Sequence, residues 1–321
     1  MTPGMPRWTP ITAAISVGGF IGIPTVALLM RAVAVDPFAT ASRPDALGAA
    51  FWLSVTTSLV TLVIAIIVGT PAAFALARVP FPGRGLANAL VDVPVILPPA
   101  VAGLALLLAF GRRGLAGSWL ADAGITLAFS TTGVVLAQCF VSIPFYVRTV
   151  RAAFLRADRD LEAAAMIDGA TGWGAFRHVT VPLARPALVA GGVLCWSRAM
   201  GEFGATLMFA GSLRGRTQTM PLAIYALLES DIDGAVLLGG TFVVVAVGIL
   251  GVTAFVTDRQ PRAESFKKEA EREVTAGIEP AIELLQSPAL PLGYVTLIGR
   301  PLGDPPIPAL LGIQSGARPR K

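Results

Sequence analysis

Charge is scarce in this sequence. Asp, Glu, Lys and Arg together make up 14% of 321 residues, while hydrophobic residues make up 54%. A soluble domain carries about 25% charge, so a chain this poor in it cannot cover its apolar residues and stay in water. Histidine occurs once, at His178, and cysteine twice, at Cys139 and Cys195. A lone histidine outside the apolar blocks leaves nothing to build a Ser-His protease within a membrane, and no G-x-S-x-G elbow occurs. His178 itself reads as a solvated or interface side chain. Both cysteines fall inside apolar blocks and read as small core residues, with neither a disulfide nor a metal site expected. No Gly-Lys pair occurs, so there is no Walker loop to cradle nucleotide phosphates. If ATP drives this protein, another subunit must bind it.

What is present comes in long apolar blocks, which points to bilayer spans rather than one soluble core. Six segments reach or approach the length of a spanning helix: Ile11 to Met30, Phe51 to Ala77, Ala89 to Phe110, Ile125 to Val147, Ala187 to Phe209, and Ala235 to Val256. The fold class expected is therefore an all-α integral membrane protein with six transmembrane helices. The first segment is too long for a secretory signal core and reads as an uncleaved helix after a short cytoplasmic N-terminus, residues 1–10. The membrane-spanning body covers residues 11–258. Residues 259–321 open on the charged run KKEAERE and continue with scattered prolines, the composition of a cytoplasmic and largely disordered tail.

The net charge of +5 would raise the question of nucleic acid in a soluble protein. Here the arginines flank apolar spans, as the positive-inside bias requires, and no nucleic-acid partner is expected. With both termini inside, fourteen basic residues in the loops and near the span ends fall on the cytoplasmic side and six outside, the latter being Arg31, Arg43, Arg112, Arg113, Arg214 and Arg216. Within the third segment, Pro94, Pro98 and Pro99 remove backbone donors. A kink is expected, facing either a packed neighbour or a translocation path; Pro98 and Pro99 are the path candidates.

The stretch from Leu161 to Leu188, LEAAAMIDGATGWGAFRHVTVPLARPAL, is too polar to span and too patterned for a linker. Leu161 to Asp168 favours helix, with Glu162 near its start, where the helix dipole favours an anion. Gly169 permits a sharp turn. A second short helix follows, carrying Trp173 and Phe176 at i, i+3 spacing as exposed aromatics, and Pro182 sets the entry to the next span. Such a helix–turn–helix either fits a socket in a partner or lies on the headgroups.

This segment resembles the EAA loop of ABC importer permeases, through Glu162, Ala164, Ala165, Gly169, Val179, Val181 and Pro182, with thirteen residues from glycine to proline. The resemblance implies a cytoplasmic coupling helix that docks into a groove of a separate ATPase.

Further on, Arg198 and Glu202 stand at i, i+4 inside an apolar span. Each charge at mid-membrane costs roughly 2.5–3.5 kcal/mol on insertion scales, so the two should pair and turn from lipid. They either lock the bundle, or Arg198 helps an anion through while Glu202 holds it; Thr206 adds a hydroxyl one turn on. Gly201 and Gly204 allow close helix approach.

The runs GEFGATLMFAG (Gly201 to Gly211), RTQTMPLAIY (Arg216 to Tyr225) and ILPPAVAGLALLLAFGRRG (Ile96 to Gly114) are similar to those of molybdate permeases and, more loosely, of sulfate and tungstate permeases. The resemblance covers residues 50 to 257. It implies a homodimeric, non-catalytic membrane subunit of an oxyanion importer in the bacterial plasma membrane, surrounded by lipid. It also implies a cytoplasmic ATPase that holds ATP and Mg, and an extracytoplasmic oxyanion-binding protein. No cofactor is expected on this chain. An ion-coupled secondary transporter is the rival, with Glu202 and Asp92 as its available carboxylates.

Overall fold

The computed structural model describes residues 8–35 and 44–258. The tail expected at 259–321 and the first seven residues lie outside the described residues. All regular structure among the described residues is helical. In chain order the helices are α1 (Trp8–Ala34), α2 (Pro44–Arg78), α3 (Arg84–Ile96), α4 (Pro99–Phe110), α5 (Gly117–Asp122), α6 (Thr131–Arg156), α7 (Arg159–Ile167) and α8 (Gly172–Ala175). A π-helical turn, Phe176–Thr180, then leads into α9 (Val181–Met200), followed by α10 (Gly204–Ala210), α11 (Met220–Leu228) and α12 (Ile232–Asp258).

Five helical stretches are long and apolar enough to cross a membrane, namely α1, α2, α6, α12 and the stretch from α8 through α9. Counted as one broken span, the bent pair α3–α4 makes six. The expected kink there is a full break. A residue before proline is pushed out of the helical region, and the Pro98-Pro99 pair imposes this twice. Leu97 has ψ of 133° and Pro98 ψ of 138°, both extended. The axis consequently turns by 119° between α3 and α4. At 13 and 12 residues, each half is only about 20 Å long and cannot span alone.

The fourth and fifth spans also differ from their expected bounds. The fourth starts at Thr131, where the Ser130 side chain caps Gly133 N–H at 3.1 Å, and runs on through Arg156. The fifth starts earlier, at Val181, and stops at Met200 instead of Phe209. Gly201, Glu202 and Phe203 break it, and the residues beyond form the separate α10. Helix α11 was not expected, since its nine residues are too few to register as a span.

Helices α2, α6 and α9 make the central bundle around Ala65, Ala73, Tyr146, Val150, Phe154, Ala184 and Cys195. The Tyr146 ring lies over Gly69, where a Cβ would come within 2.8 Å, and its hydroxyl meets Thr70 Oγ1 at 2.7 Å. Cys139 and Cys195 are buried free thiols.

A seam of hydroxyls on α2 ties three other helices to it. Ser54 Oγ accepts from Met220 N–H of α11 (2.7 Å), Ser58 Oγ accepts from Trp196 Nε1 of α9 (2.9 Å), and Thr61 donates to Gln138 Oε1 of α6 (3.2 Å). Hydrocarbon offers no alternative partner, and such interhelical bonds are worth about 0.6 kcal/mol each. Spacings of four and three residues put all three hydroxyls on one helical face.

The outer surface is apolar. Phe20, Ile23, Val33, Ile67, Leu108 and Val244 are all exposed, the arrangement suited to lipid. Helix α1 has no buried residue in its apolar core stretch. It meets α12 where Ala32 packs on Gly240 and Arg31 reaches Asp233 at 3.5 Å.

Helices α4 and α10 approach backbone to backbone. A Cβ on Gly103 would lie 2.6 Å from Met208 Cβ and 2.8 Å from Ala205 O, and one on Gly204 would lie 2.6 Å from Pro99 Cβ. Gly103→Val should therefore destabilise the detergent-solubilised protein by about 1–3 kcal/mol, the usual cost of overpacking. Gly85→Ala, with open space around its Cβ, should leave thermal unfolding unchanged. Equal melting of the two variants would contradict this packing.

Candidate functional site

Two groups of residues carry chemistry, one at each end of α9. The first is the stretch from Asp158 to Pro182. Asp158 caps α7 by accepting from Asp160 N–H at 2.9 Å, and Thr171 caps α8 by accepting from Gly174 N–H at 3.1 Å. Between them Gly169 has φ of +94°, a left-handed conformation that glycine adopts without penalty. Pro182 follows the π-helical turn at the start of α9. Since proline brings no N–H to the helical ladder, it is tolerated in this first turn.

Glu162 faces inward. Its Oε1 accepts from Thr180 Oγ1 at 2.9 Å and from Arg78 Nη2 at 3.3 Å. The same Arg78 nitrogen donates to Ala157 O at 2.7 Å, and the guanidinium is buried. One carboxylate thus joins the end of α2, the helix α7 and the start of α9. Sequence reasoning places Glu162 at the helix start but finds neither of its partners, Arg78 and Thr180. Nothing local marks these partners, because they lie far off in the chain.

Phe176 corrects an expectation. It is not an exposed aromatic but a half-buried one, with its ring 4.8 Å from Phe74 of α2 and 6.2 Å from Phe154 of α6. Trp173 stacks on its outer side at 5.3 Å and is 68% exposed. Alongside Trp173, Leu161, Met166 and Ile167 also stand in the open, Ile167 at 86% exposure. Ala164 is exposed and Ala165 half-buried. His178 is exposed, with Nδ1 3.0 Å from Gly174 O. The stretch is fastened to the bundle on one side and apolar and open on the other.

Three further arginines near this end do structural work. Arg84 donates to Leu76 O (2.7 Å) and Ala77 O (2.9 Å), satisfying carbonyls left at the end of α2. Arg148 pairs with Asp92 at 3.3 Å, and Arg151 donates to Asn88 Oδ1, so α3 is held to α6 by two polar links. Asp92 is therefore an ion-pair partner in this structure.

The second group lies at the far end of α9. Arg198 Nη1 and Glu202 Oε2 are 2.6 Å apart, with Glu202 only 1% exposed. The pair forms as the spacing suggested, but across the break rather than within one helix. Glu202 Oε1 accepts from Ala205 N–H at 2.8 Å and so caps α10. Thr206 sits on α10, beyond the break, fully buried and with an unpartnered hydroxyl. Gly204 meets Pro99, so the proline break and the Glu202 break are in direct contact although distant in sequence. Pro98 and Pro99 are exposed beside this contact. Gly201 makes no close approach to another helix, its nearest neighbour being Ser197 O of its own turn. A groove of about 350 Å³, lined by Gly201, Phe203, Pro221, Tyr225 and Phe242 among others, opens next to the break.

Residues 68–259 match the family described as the binding-protein-dependent transport system inner membrane component. The chain is 42% identical over 255 residues to the molybdenum transport system permease protein ModB of Mycobacterium tuberculosis, which covers 78% of this chain and 94% of that protein. It is 36% identical over 274 residues to the sulfate transport system permease protein CysW of Escherichia coli, covering 83% and 92%. Among solved structures it is similar to a bacterial ABC transporter involved in the import of the acidic polysaccharide alginate, with TM-score 0.65 at 17% identity over 79% of this chain and 96% of that one. It is also similar to the MetNI methionine ABC transporter in an inward-facing conformation, with TM-score 0.52 at 16% identity over 67% and 96%.

Glu202→Ala removes both the cap and the arginine's partner, and should cost about 3 kcal/mol, the low end for breaking a buried pair because Arg198 is partly exposed. Glu202→Gln keeps an oxygen for the Ala205 N–H and should cost distinctly less. Thermal unfolding in detergent reports both; equal losses would remove the capping role.

Proposed function

The chain belongs to the family of binding-protein-dependent transport system inner membrane components, and from that premise we propose that it is the permease subunit of an ATP-driven importer of molybdate. It is a multi-pass membrane protein and a non-catalytic transport component. The observation that carries the reading is the form of the Asp158–Pro182 stretch. Its inner side is locked to α2 and α6 by Glu162 and Phe176, and its outer side presents Trp173 and Ile167 to a partner. A segment that merely lay on headgroups would not need an ionic clamp to the bundle.

The partner is a cytoplasmic ATPase, which holds ATP and Mg; both termini and this loop then lie on the cytoplasmic side. Two copies of the chain surround a central path. When the ATPase pair closes on nucleotide, each loop is displaced. Because Glu162, Thr180 and Phe176 fasten it to α2, α6 and α9, the displacement enters the bundle rather than bending a free linker. Helix α9 carries it over about 30 Å to Arg198 and Glu202. There the paired breaks at Pro98–Pro99 and Gly201–Phe203 are the places where the backbone can re-aim. Arg198, the partly exposed member of the pair, offers donors to a tetrahedral oxyanion, which needs donors and no base. Glu202 keeps Arg198 from binding the anion too tightly to release it. The ion arrives from an extracytoplasmic binding protein.

Molybdate is favoured over sulfate because the molybdenum permease relative is the more similar in sequence, at 42% against 36% identity. Competition uptake with molybdate, tungstate and sulfate in cells carrying the complete transporter should show molybdate excluded by tungstate at equimolar level and by sulfate only in large excess; the reverse order assigns the chain to sulfate. Gly169→Pro, which forces φ from +94° to about −65°, should abolish uptake and co-purification of the ATPase while leaving membrane insertion intact. Normal uptake by that variant would remove the coupling role of the loop.

A further inference from the structure

Where α6 ends and α9 begins, the surface holds a cavity of about 350 Å³ that the coupling and translocation residues leave unused. Three helices wall it. Ala153 and Arg156 come from the last turn of α6, Leu161 from α7, and Leu183 and Ala187 from the start of α9, with Asp158 in the link between α6 and α7. Helix α6 and the stretch through α9 are both long and apolar enough to cross a membrane. The cavity, at the end of the α6 span, therefore lies where the headgroups of a bilayer meet its hydrocarbon.

Its charged lining is one cation and one anion that do not neutralise each other. Arg156 and Asp158 are both exposed, and neither takes part in an ion pair among the described residues. Asp158 Oδ1 is occupied by Asp160 N–H at 2.9 Å, while Oδ2 has no partner among the described residues. Between the two charges Ala157 is extended, with ψ of 131°, so the Cα atoms of Arg156 and Asp158 stand at most about 7 Å apart. Ala157 is itself pinned. Its N–H donates to Ala153 O at 2.9 Å, and its carbonyl accepts from the buried Arg78 at 2.7 Å. The backbone that carries the two charges is thus fixed before anything binds.

The rest of the lining is apolar and leads along the span. Leu183, Ala187, Ala190 and Leu194 follow one another at spacings that share one face of α9, and Leu183 and Leu194 are 49% and 47% exposed. An unpartnered arginine does not by itself single out this place, since Arg112 lines another cavity beyond α4. No acidic residue lines that one, and its walls all come from the single segment 110–128. The distinguishing feature here is the unpaired couple of opposite charges above an apolar track.

We propose that this cavity seats one phospholipid whose headgroup carries both a phosphate and a primary ammonium, as phosphatidylethanolamine does. Arg156 donates to the phosphate, a charge-assisted contact suited to the guanidinium fork. The ammonium has three N–H donors and gives one to Asp158 Oδ2. An acyl chain follows the Leu183–Leu194 face into the hydrocarbon. A choline headgroup has no N–H to give Asp158. A glycerol headgroup leaves that carboxylate beside a phosphate with no cation of its own. The lipid also packs on Leu161, whose neighbour Glu162 holds α7 to α2 and to the start of α9, so it supports that clamp from the membrane side. The inference goes beyond the importer reading and needs only that α6 and α9 span a bilayer.

The test uses the full chain, purified in detergent with an equimolar mixture of phosphatidylethanolamine, phosphatidylcholine and phosphatidylglycerol, and counts retained lipid by native mass spectrometry. Phosphatidylethanolamine should be retained about fivefold over either other lipid, the ratio that one well-placed exposed charge pair supplies. Asp158→Asn keeps a good cap for α7 and should bring phosphatidylethanolamine down to the level of phosphatidylglycerol. Arg156→Gln should lower both together, Arg156→Lys should keep the preference, and Arg112→Gln should change nothing. Melting temperatures in lipid-free detergent should agree across the variants, which separates lost binding from lost folding. Equal retention of the three lipids, a preference for phosphatidylglycerol, or a preference that survives Asp158→Asn would each overturn the proposal. So would displacement of the lipid by soluble phosphoethanolamine, which has the headgroup without the chains. Because the chain is measured without an ATPase, failure of the importer reading leaves these outcomes untouched. If the variants keep their lipid but lose co-purification of the ATPase, the cavity belongs to that contact and the lipid role falls.

Discussion

Lipid supplies no hydrogen bonds, and this constraint organises the molecule. Most places where the chain departs from a plain apolar helix are answered by a side chain from the element beside it; the buried Thr206 hydroxyl is an exception. Glu202 both caps α10 and neutralises Arg198. Ser54, Ser58 and Thr61 put hydroxyls inside an apolar helix only because α11, α9 and α6 each bring a partner. The end of α2, whose last carbonyls would otherwise face outward unpaired, is closed by Arg84. The polar residues of the bundle are thus also what sets its register, since a helix rotated by one position would strand several of them at once.

The second organising feature is the helix that begins at Val181 and ends at Met200. One end meets the Glu162–Arg78–Thr180 clamp, the other the Arg198–Glu202 pair. That helix joins the two polar clusters, and its apolar middle packs on α6, where Tyr146, Thr149 and Val150 close against Gly191. Among the described residues, breaks at Pro98–Pro99 and Gly201–Phe203 interrupt the regular backbone, and they touch each other through Gly204.

The long spans were legible because bilayer thickness imposes a length requirement that any apolar run either meets or does not. The helix–glycine–helix loop was legible too, down to Glu162 and Gly169, since caps and left-handed turns are local events. What the sequence could not give was partnership. Phe176 reads as a surface aromatic by spacing and is half-buried because Phe74 and Phe154 come to it from other helices. Arg78 reads as one more inside charge. The span through GEFGATLM reads as continuous because Ala, Leu and Met favour helix; the break needs the cap that Glu202 supplies to Ala205, a pattern visible in retrospect as an acidic residue three positions before that amide. The Pro98-Pro99 pair announced a kink, but the turn of 119° depends on where α10 lies.

The contact of Gly103 and Pro99 with α10 has a consequence for how the protein is made. The ribosome finishes α3 and α4 well before α10 emerges. Until then two short helices, neither able to cross the bilayer alone, lack the surface against which Gly103 is shaped. The third span therefore cannot reach its final geometry when it leaves the translocation channel. Its packing is completed only once α10 (Gly204–Ala210) has been made, and α11 and α12 follow later still.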